Sequence, residues 1–125
     1  MRALVNEDAR LVLGTEATLR SETVPGASAH LELRELVAAG LTPFEALRTA
    51  TTNPALVLGV PGQFGIVAPG ARANLLLLDA NPLEDIANTE RIAGVMLRGR
   101  WLSAADLRRI TQRENLPPWR RVRVW

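Results

Sequence analysis

The sequence contains no cysteine and no lysine, and its only histidine is His30. The absence of cysteine excludes disulfides, metal sites built on thiolates and a thiol nucleophile. With a single imidazole, the chain can offer a metal ion at most one nitrogen ligand from a histidine.

Long apolar runs are missing as well. No stretch approaches the ~20 apolar residues of a membrane span, and no secretory signal pattern precedes the first apolar run. Hydrophobic residues make up 47% and charged residues 22% of the 125 positions, which is typical of a globular protein and not of a disordered one. We therefore expect one domain's worth of soluble chain, located in the cytoplasm and without a membrane partner.

Neither sign of charge is in large excess. The formal net charge is +2, and all 15 basic residues are arginines. Most of these stand singly near acidic residues, so no dense basic face with interleaved aromatic rings is expected and no nucleic-acid partner is predicted. The one basic cluster is the tail "LPPWRRVRVW". This tail is either a disordered terminus or an extra strand able to pair with a sheet edge.

The first candidate functional stretch is "LVLGTEA", residues 11–17. Three apolar residues run into Gly14, which predicts a buried strand over residues 10–14. Glu16 stands just past its end, where α/β enzymes place catalytic groups. Glu16 is therefore either a metal ligand and general base or only a polar residue on a loop.

Helical signals follow. Ser28 can cap a helix over 29–39 that stops at Gly40. In "LTPFEALRTATT", Thr42 and Glu45 have the spacing of a capping box. We expect Asn53 and Pro54 to begin a further short helix. In the helix after Thr42, the residues predicted to face the core are Phe44, Leu47 and Ala50 or Thr51.

The pattern then changes to short strands. "FGIVAPGARANLLLLD" has two apolar runs around Pro69-Gly70, which predicts a hairpin or a tight corner. A strand pair is expected at 93–97 and 100–102, turning at Arg98-Gly99. Ser103 and Asp106 form another capping box, and the helix that it opens should turn two side chains inward, Leu107 and Ile110.

Three phrases together resemble the C-terminal part of the amidohydrolase superfamily, nearest to its imidazolonepropionase- and prolidase-like branch. They are "GLTPFEALRTATTNPALVLGV", "GIVAPGARANLLLLDANPLEDI" and "IAGVMLRGRWLS". The resemblance implies an α/β fold, with the last βα unit of a TIM-like barrel in residues 1–58 and part of a small β-sandwich in 59–107. The end of the terminal helix and the basic tail would occupy 108–125.

The same resemblance implies roles for two residues. Glu16 stands where the family usually has an aspartate that binds metal and acts as general base, so Glu16 is the predicted catalytic and metal-binding residue. His30, in "SAHLELREL", is the predicted substrate-binding residue, with a helix-start histidine of no ligand role as the alternative. The family uses a divalent metal, zinc above all, held largely by histidines of earlier barrel strands. Two ligands at most are present here, so this chain alone is expected to bind no metal.

The sequence is compatible with three functions. The chain is the C-terminal fragment of a metal-dependent hydrolase of carbon–nitrogen bonds, or a catalytically inert folded remnant, or an interaction module. Strands that lose their barrel and sandwich neighbours leave apolar faces and unpaired edges in water. We therefore expect a homo-oligomer or a complementary N-terminal hydrolase chain as partner.

Overall fold

The computed structural model describes residues 9–17 and 24–111. The described helices are α1 Ala27–Ala38, α2 Pro43–Ala50, α3 Thr52–Val57, a 3-10 helix Ile86–Glu90 and α4 Ala104–Thr111. The described strands are β1 Leu75–Leu78, β2 Ile92–Leu97 and β3 Arg100–Ser103. The basic tail and the rest of 112–125 lie outside the described residues.

The apolar core lies between α1, α2 and the 3-10 helix. Leu33, Ala46 and Ile86 are its buried members. Leu13 packs against them from the first described segment. Residues far apart in sequence therefore share one core, and Ile86 contributes to it from beyond residue 58.

The predicted strand at 10–14 is wrong for the described residues. Residues 9–17 belong to no strand, because a strand needs a neighbouring strand to bond with and a helix takes that place here. The N–H of Leu13 donates to the carbonyl of Thr49, at the end of α2, over 2.9 Å. The segment is an extended stretch of chain that is hydrogen-bonded to helices.

Helix α1 begins earlier than predicted. Gly26, with a φ of 88°, precedes the helix without a side-chain cap. The predicted cap Ser28 is buried inside the first turn, where its hydroxyl donates to the carbonyl of Val24. The stop at Gly40 is confirmed: its φ is 102°, and its N–H donates to the carbonyl of Val37. The N–H of Leu41 bonds back to Leu36, which completes a Schellman ending.

Helix α2 has the predicted capping box, with Thr42 and Glu45 bonded reciprocally and a proline at the first position. Its predicted inward face is only partly right. Phe44 is 59% exposed and Ala50 is also exposed, whereas Leu47 packs against the core. The buried residues are Ala46 and Thr49. Helix α2 is short, and α1 covers only a narrow stripe of its surface. The face predicted from the apolar residues is therefore rotated relative to the face that is buried.

Asn53 does not cap α3 as predicted, since the helix starts at Thr52 with Thr51 as the preceding residue. Asn53 is buried, at 9% exposure, and its Nδ2 donates to the carbonyl of Leu11 over 2.8 Å. The Asn53 side chain thus makes a tertiary hydrogen bond in place of the helix cap that the local sequence predicts.

Of the two alternatives at Pro69-Gly70, the chain forms the tight corner. The N–H of Ala71 bonds to the carbonyl of Ala68, and Gly70 has a φ of 85°, as position three of a type II turn requires. The apolar run before it forms no strand. The side chain of Arg72 lies over the Phe64 ring, 5.6 Å from its centre.

The three strands form one antiparallel sheet in the order β1-β2-β3. The predicted strand pair is confirmed, with Leu97 opposite Arg100. Arg98 and Gly99 have φ values of 51° and 80°, as a two-residue hairpin turn of type I′ requires. The register of β1 against β2 shifts between Leu77 and Leu78.

Helix α4 opens with the predicted capping box. The Ser103 hydroxyl donates to Asp106 Oδ2 over 2.6 Å, and the Asp106 N–H donates back to it. The hydrogen bonds from Ser103 hold the pKa of Asp106 below its ordinary value. Leu107 is half-buried, whereas Ile110, predicted to face inward, is 51% exposed. The sheet that α4 packs on is too small to cover its last turn.

Within the described ranges, no helix has the length and apolar character needed to cross a lipid bilayer.

Candidate functional site

The stretch that leads to Glu16 is fastened at three successive points. Asn53 binds the carbonyl of Leu11, Thr49 accepts from the N–H of Leu13, and Glu32 Oε1 accepts from the N–H of Gly14 over 3.0 Å. Three different helices supply these partners. The chain therefore reaches residue 15 in one defined path although no strand supports it.

Glu16 follows directly after these anchors. Its side chain is exposed, and its φ of 47° lies in the left-handed region, which non-glycine residues seldom adopt. Beside it, the N–H of Ala17 reaches the Thr15 hydroxyl over 3.4 Å. Strained backbone of this kind collects at functional sites. Chemically, an exposed carboxylate here can attract a cation or accept a proton.

His30 lies in the first turn of α1 and is half-buried. Its Nδ1 is 3.0 Å from the Thr89 hydroxyl, and that hydroxyl also contacts the carbonyl of Ile86 over 2.8 Å. One turn further along α1, Arg34 forms an ion pair of 2.8 Å with Glu90. The 3-10 helix thus positions the imidazole from outside α1.

The structure does not join the two predicted site residues directly. No hydrogen bond links Glu16 and His30 in the part of the chain that is described. In the same part, no group of three or more His, Asp or Glu side chains is placed to hold a metal ion. The donor set therefore does not fit a complete divalent metal centre, since such a centre takes three protein ligands or more.

A cleft of about 420 Å³ lies beside the start of the anchored segment. Its lining includes Arg10, Leu11, Arg48 and Asn53, and neither Glu16 nor His30. The cleft and the candidate site are therefore separate features of the fold.

Two residues that shape the site were not predicted from the sequence. Glu32 fixes the backbone of Gly14, and Thr89 contacts His30 from 59 positions away in the sequence. No local spacing pattern links either pair, so only a tertiary structure reveals them.

The model of the amidohydrolase family matches residues 1–102. Imidazolonepropionase of Rubrobacter xylanophilus is 40% identical over 79 residues, which are 63% of this chain and 19% of that protein. Ochratoxinase of Aspergillus niger is 39% identical over 75 residues, 58% of this chain and 16% of that protein.

Among solved structures, a prolidase-like protein of Bifidobacterium longum superposes with a TM-score of 0.68 at 36% identity. The match covers 81% of this chain and 25% of that one. The chain thus spans less than a fifth of each curated relative named here and a quarter of this structure.

Proposed function

The chain belongs to the amidohydrolase family, and we propose that it forms the C-terminal part of a metal-dependent hydrolase that acts on carbon–nitrogen bonds. The observation that carries the proposal is the family match across residues 1–102 of a chain that spans only 16–25% of the relatives named above. The rest of the barrel, from the same or another polypeptide, would complete the enzyme. By itself the 125-residue chain is inactive.

In this proposal, residues 1–58 supply the last βα unit of the barrel and 59–107 supply part of the accompanying β-sandwich. The extended segment before Glu16 supports the first role, because an extended chain fastened to helices on one side can still receive strands on the other. The small sheet supports the second, since Leu76 and Leu77 are each 54% exposed. Neighbouring strand residues point to opposite faces, so β1 is exposed on both faces within the described part of the chain.

Glu16 is the proposed general base, and it would be the carboxylate that this chain adds to a metal centre formed mainly by other barrel strands of the enzyme. A divalent metal bound there would make a water molecule more acidic. Glu16 would then accept a proton from that water. His30 is the proposed contact to the substrate. The relatives include an imidazolonepropionase and a prolidase-like protein, so cyclic amides and dipeptides are the substrate classes to test.

The experiment is complementation. The chain is mixed with a barrel fragment of a prolidase-like relative that lacks the corresponding C-terminal quarter, and turnover of a cyclic amide and dipeptide panel is measured with Zn²⁺ or Mn²⁺. We expect turnover only from the mixture, and loss of it in Glu16→Gln. Glu35→Gln, which changes an exposed carboxylate on α1, is the matched control and should keep it. Turnover by the chain alone, or unchanged turnover in Glu16→Gln, contradicts the proposal.

A second candidate is a catalytically inert remnant that associates with itself or with a partner protein. The exposed leucines of β1 favour it, because large uncovered apolar faces drive association. Elemental analysis of the purified complemented mixture separates the two. A divalent ion that the mixture retains and the barrel fragment alone loses supports the hydrolase, and an ion content unchanged by adding the chain supports the remnant.

A further inference from the structure

His30 and Thr89 are joined by a contact between a ring nitrogen and a hydroxyl group. Thr89 is 4% exposed, and its hydroxyl oxygen lies 2.8 Å from the carbonyl of Ile86 and 3.0 Å from His30 Nδ1. A hydroxyl has one proton to donate, and a carbonyl can only accept. In the contact with Ile86 the Thr89 hydroxyl is the donor. Its oxygen is then available as an acceptor for a proton on Nδ1.

We propose that Thr89 is a positioning residue that holds His30 in the tautomer with its proton on Nδ1. The other ring nitrogen, Nε2, then carries a lone pair. His30 thereby becomes a hydrogen-bond acceptor for a ligand with an N–H or O–H group, such as the amide N–H of a substrate. The inference deepens the proposed function and rests on it for the identity of the ligand, but the tautomer itself does not depend on it.

Thr89 can enforce this choice because its own surroundings are fixed. Ile86, the acceptor of its proton, is a core residue with 5% exposure. The 3-10 helix is capped by the Asp85 side chain, which accepts from the N–H of Ala87 over 2.9 Å. From the other side, the Arg34–Glu90 ion pair holds α1 against the same helix. A hydroxyl that turned toward His30 would therefore lose its bond to this carbonyl.

A single histidine makes the test direct, since the only imidazole signals come from His30. The 125-residue chain is labelled with ¹⁵N-histidine, and the ring nitrogens are assigned by NMR at a pH at which the ring is neutral. Magic-angle spinning replaces solution spectra if the chain oligomerises. We expect the protonated, pyrrole-type signal at Nδ1 and the pyridine-type signal at Nε2. A proton on Nε2 in the wild-type chain overturns the inference.

Two substitutions isolate the hydroxyl. Thr89→Val keeps the shape and removes the oxygen, so the ring should move toward the Nε2–H tautomer that unrestrained histidine prefers in water. Thr89→Ser should restore the wild-type pattern, which a loss of packing alone would not do. The matched control is Thr49→Val, because Thr49 is equally buried and donates to Ala46 in the same way but contacts no histidine. Unchanged ring signals in a folded Thr89→Val chain overturn the inference.

Kinetics of the complemented enzyme separate this inference from the function. We expect Thr89→Val to raise KM several-fold with a smaller change in kcat, and Thr89→Ser to reverse most of the rise. If the tautomer is as proposed but His30→Phe leaves KM unchanged, the substrate role of His30 is wrong while the positioning by Thr89 stands.

Discussion

Asn53 shows how one side chain can replace a missing strand contact. Its Nδ2 holds the carbonyl of Leu11 from a buried position. Asn53→Ala leaves that carbonyl without its donor, so we expect the free energy of unfolding to fall by about 1–3 kcal/mol. Chemical denaturation of both variants measures this.

The control for this prediction is Asn88→Ala. Asn88 also donates its side-chain amide to a backbone carbonyl, that of Asn81, but in an exposed setting where water can replace it. Its loss should cost under about 1 kcal/mol. Equal losses in the two variants would show that burial of the Asn53 bond is unimportant.

The backbone at Glu16 predicts the effect of a conservative change. Aspartate tolerates a left-handed φ better than glutamate and is one methylene shorter, which matches the carboxylate position implied by the family. Because a displacement of about 1 Å can cost ~10²-fold in rate, Glu16→Asp should raise kcat of the complemented enzyme. Glu35→Asp should leave it unchanged, and a lower kcat in Glu16→Asp would contradict the expectation that the site favours the shorter side chain.

At the scale of elements, Gly65 allows the linker after α3 to pass close to the backbone at the end of α2. It has a φ of 78°, and a Cβ built there would overlap the carbonyl of Thr51. Gly62 has a similar φ, 81°, with nothing within 4 Å of its added Cβ. The two glycines therefore have a similar backbone conformation, but only Gly65 lacks room for a Cβ atom.

We expect Gly65→Ala to destabilise the fold by more than ~3 kcal/mol, since backbone must shift to relieve the overlap, against about 1 kcal/mol for Gly62→Ala from its φ alone. Thermal unfolding followed by circular dichroism compares the pair. A Gly65→Ala variant as stable as Gly62→Ala would contradict the close approach of the two segments.

The capping box of α4 predicts an acid-sensitive helix. The pKa of Asp106 is held below its ordinary 3.8, first by the Ser103 hydroxyl. A lowered native pKa means that the ionised cap stabilises the helix fully above pH 3.8 and that this stabilisation is lost as the pH falls through the lowered native value.

The measurement is the stability difference between the wild-type chain and Asp106→Asn as a function of pH. We expect a difference in favour of the wild type near neutrality that shrinks toward zero in acid. Ser103→Ala should raise the pKa of Asp106, as an NMR titration would show. A difference independent of pH would mean that the charge does not contribute to the cap.

At the scale of the whole molecule, the main feature is a small sheet that exposes apolar side chains among the described residues. Leu76, Leu77 and Leu97 are each more than half exposed, and β1 and β3 each have one neighbour within the described sheet. Apolar faces beside open edges promote association. We predict that the isolated chain forms oligomers, as analytical ultracentrifugation at micromolar concentration would detect.

Leu76→Lys places a charge on the edge strand and should shift the population toward monomer. Leu58→Lys, at a more exposed leucine outside the sheet (69%), should not. A wild-type chain that stays monomeric at high micromolar concentration would show that the sheet is sufficiently covered without a partner.

The sequence alone determined the features whose cause is local. Both capping boxes, the stop at Gly40 and the turn at Arg98-Gly99 were predicted correctly, because each depends on side chains within four residues of one another or on a φ that glycine permits. The family was recognised for a related reason: several such local patterns recur in a fixed order.

Only the tertiary structure decided which residues those elements bring together. Residues 10–14 read as a strand, but a strand exists only when a neighbour supplies its hydrogen bonds, and here Thr49 and Asn53 supply them from helices. Phe44 and Ile110 read as core but are exposed, since burial depends on what covers a face and not on the residue that occupies it. The contact between His30 and Thr89 joins segments 59 positions apart in the sequence. Only the folding of the chain brings two such residues within hydrogen-bonding distance.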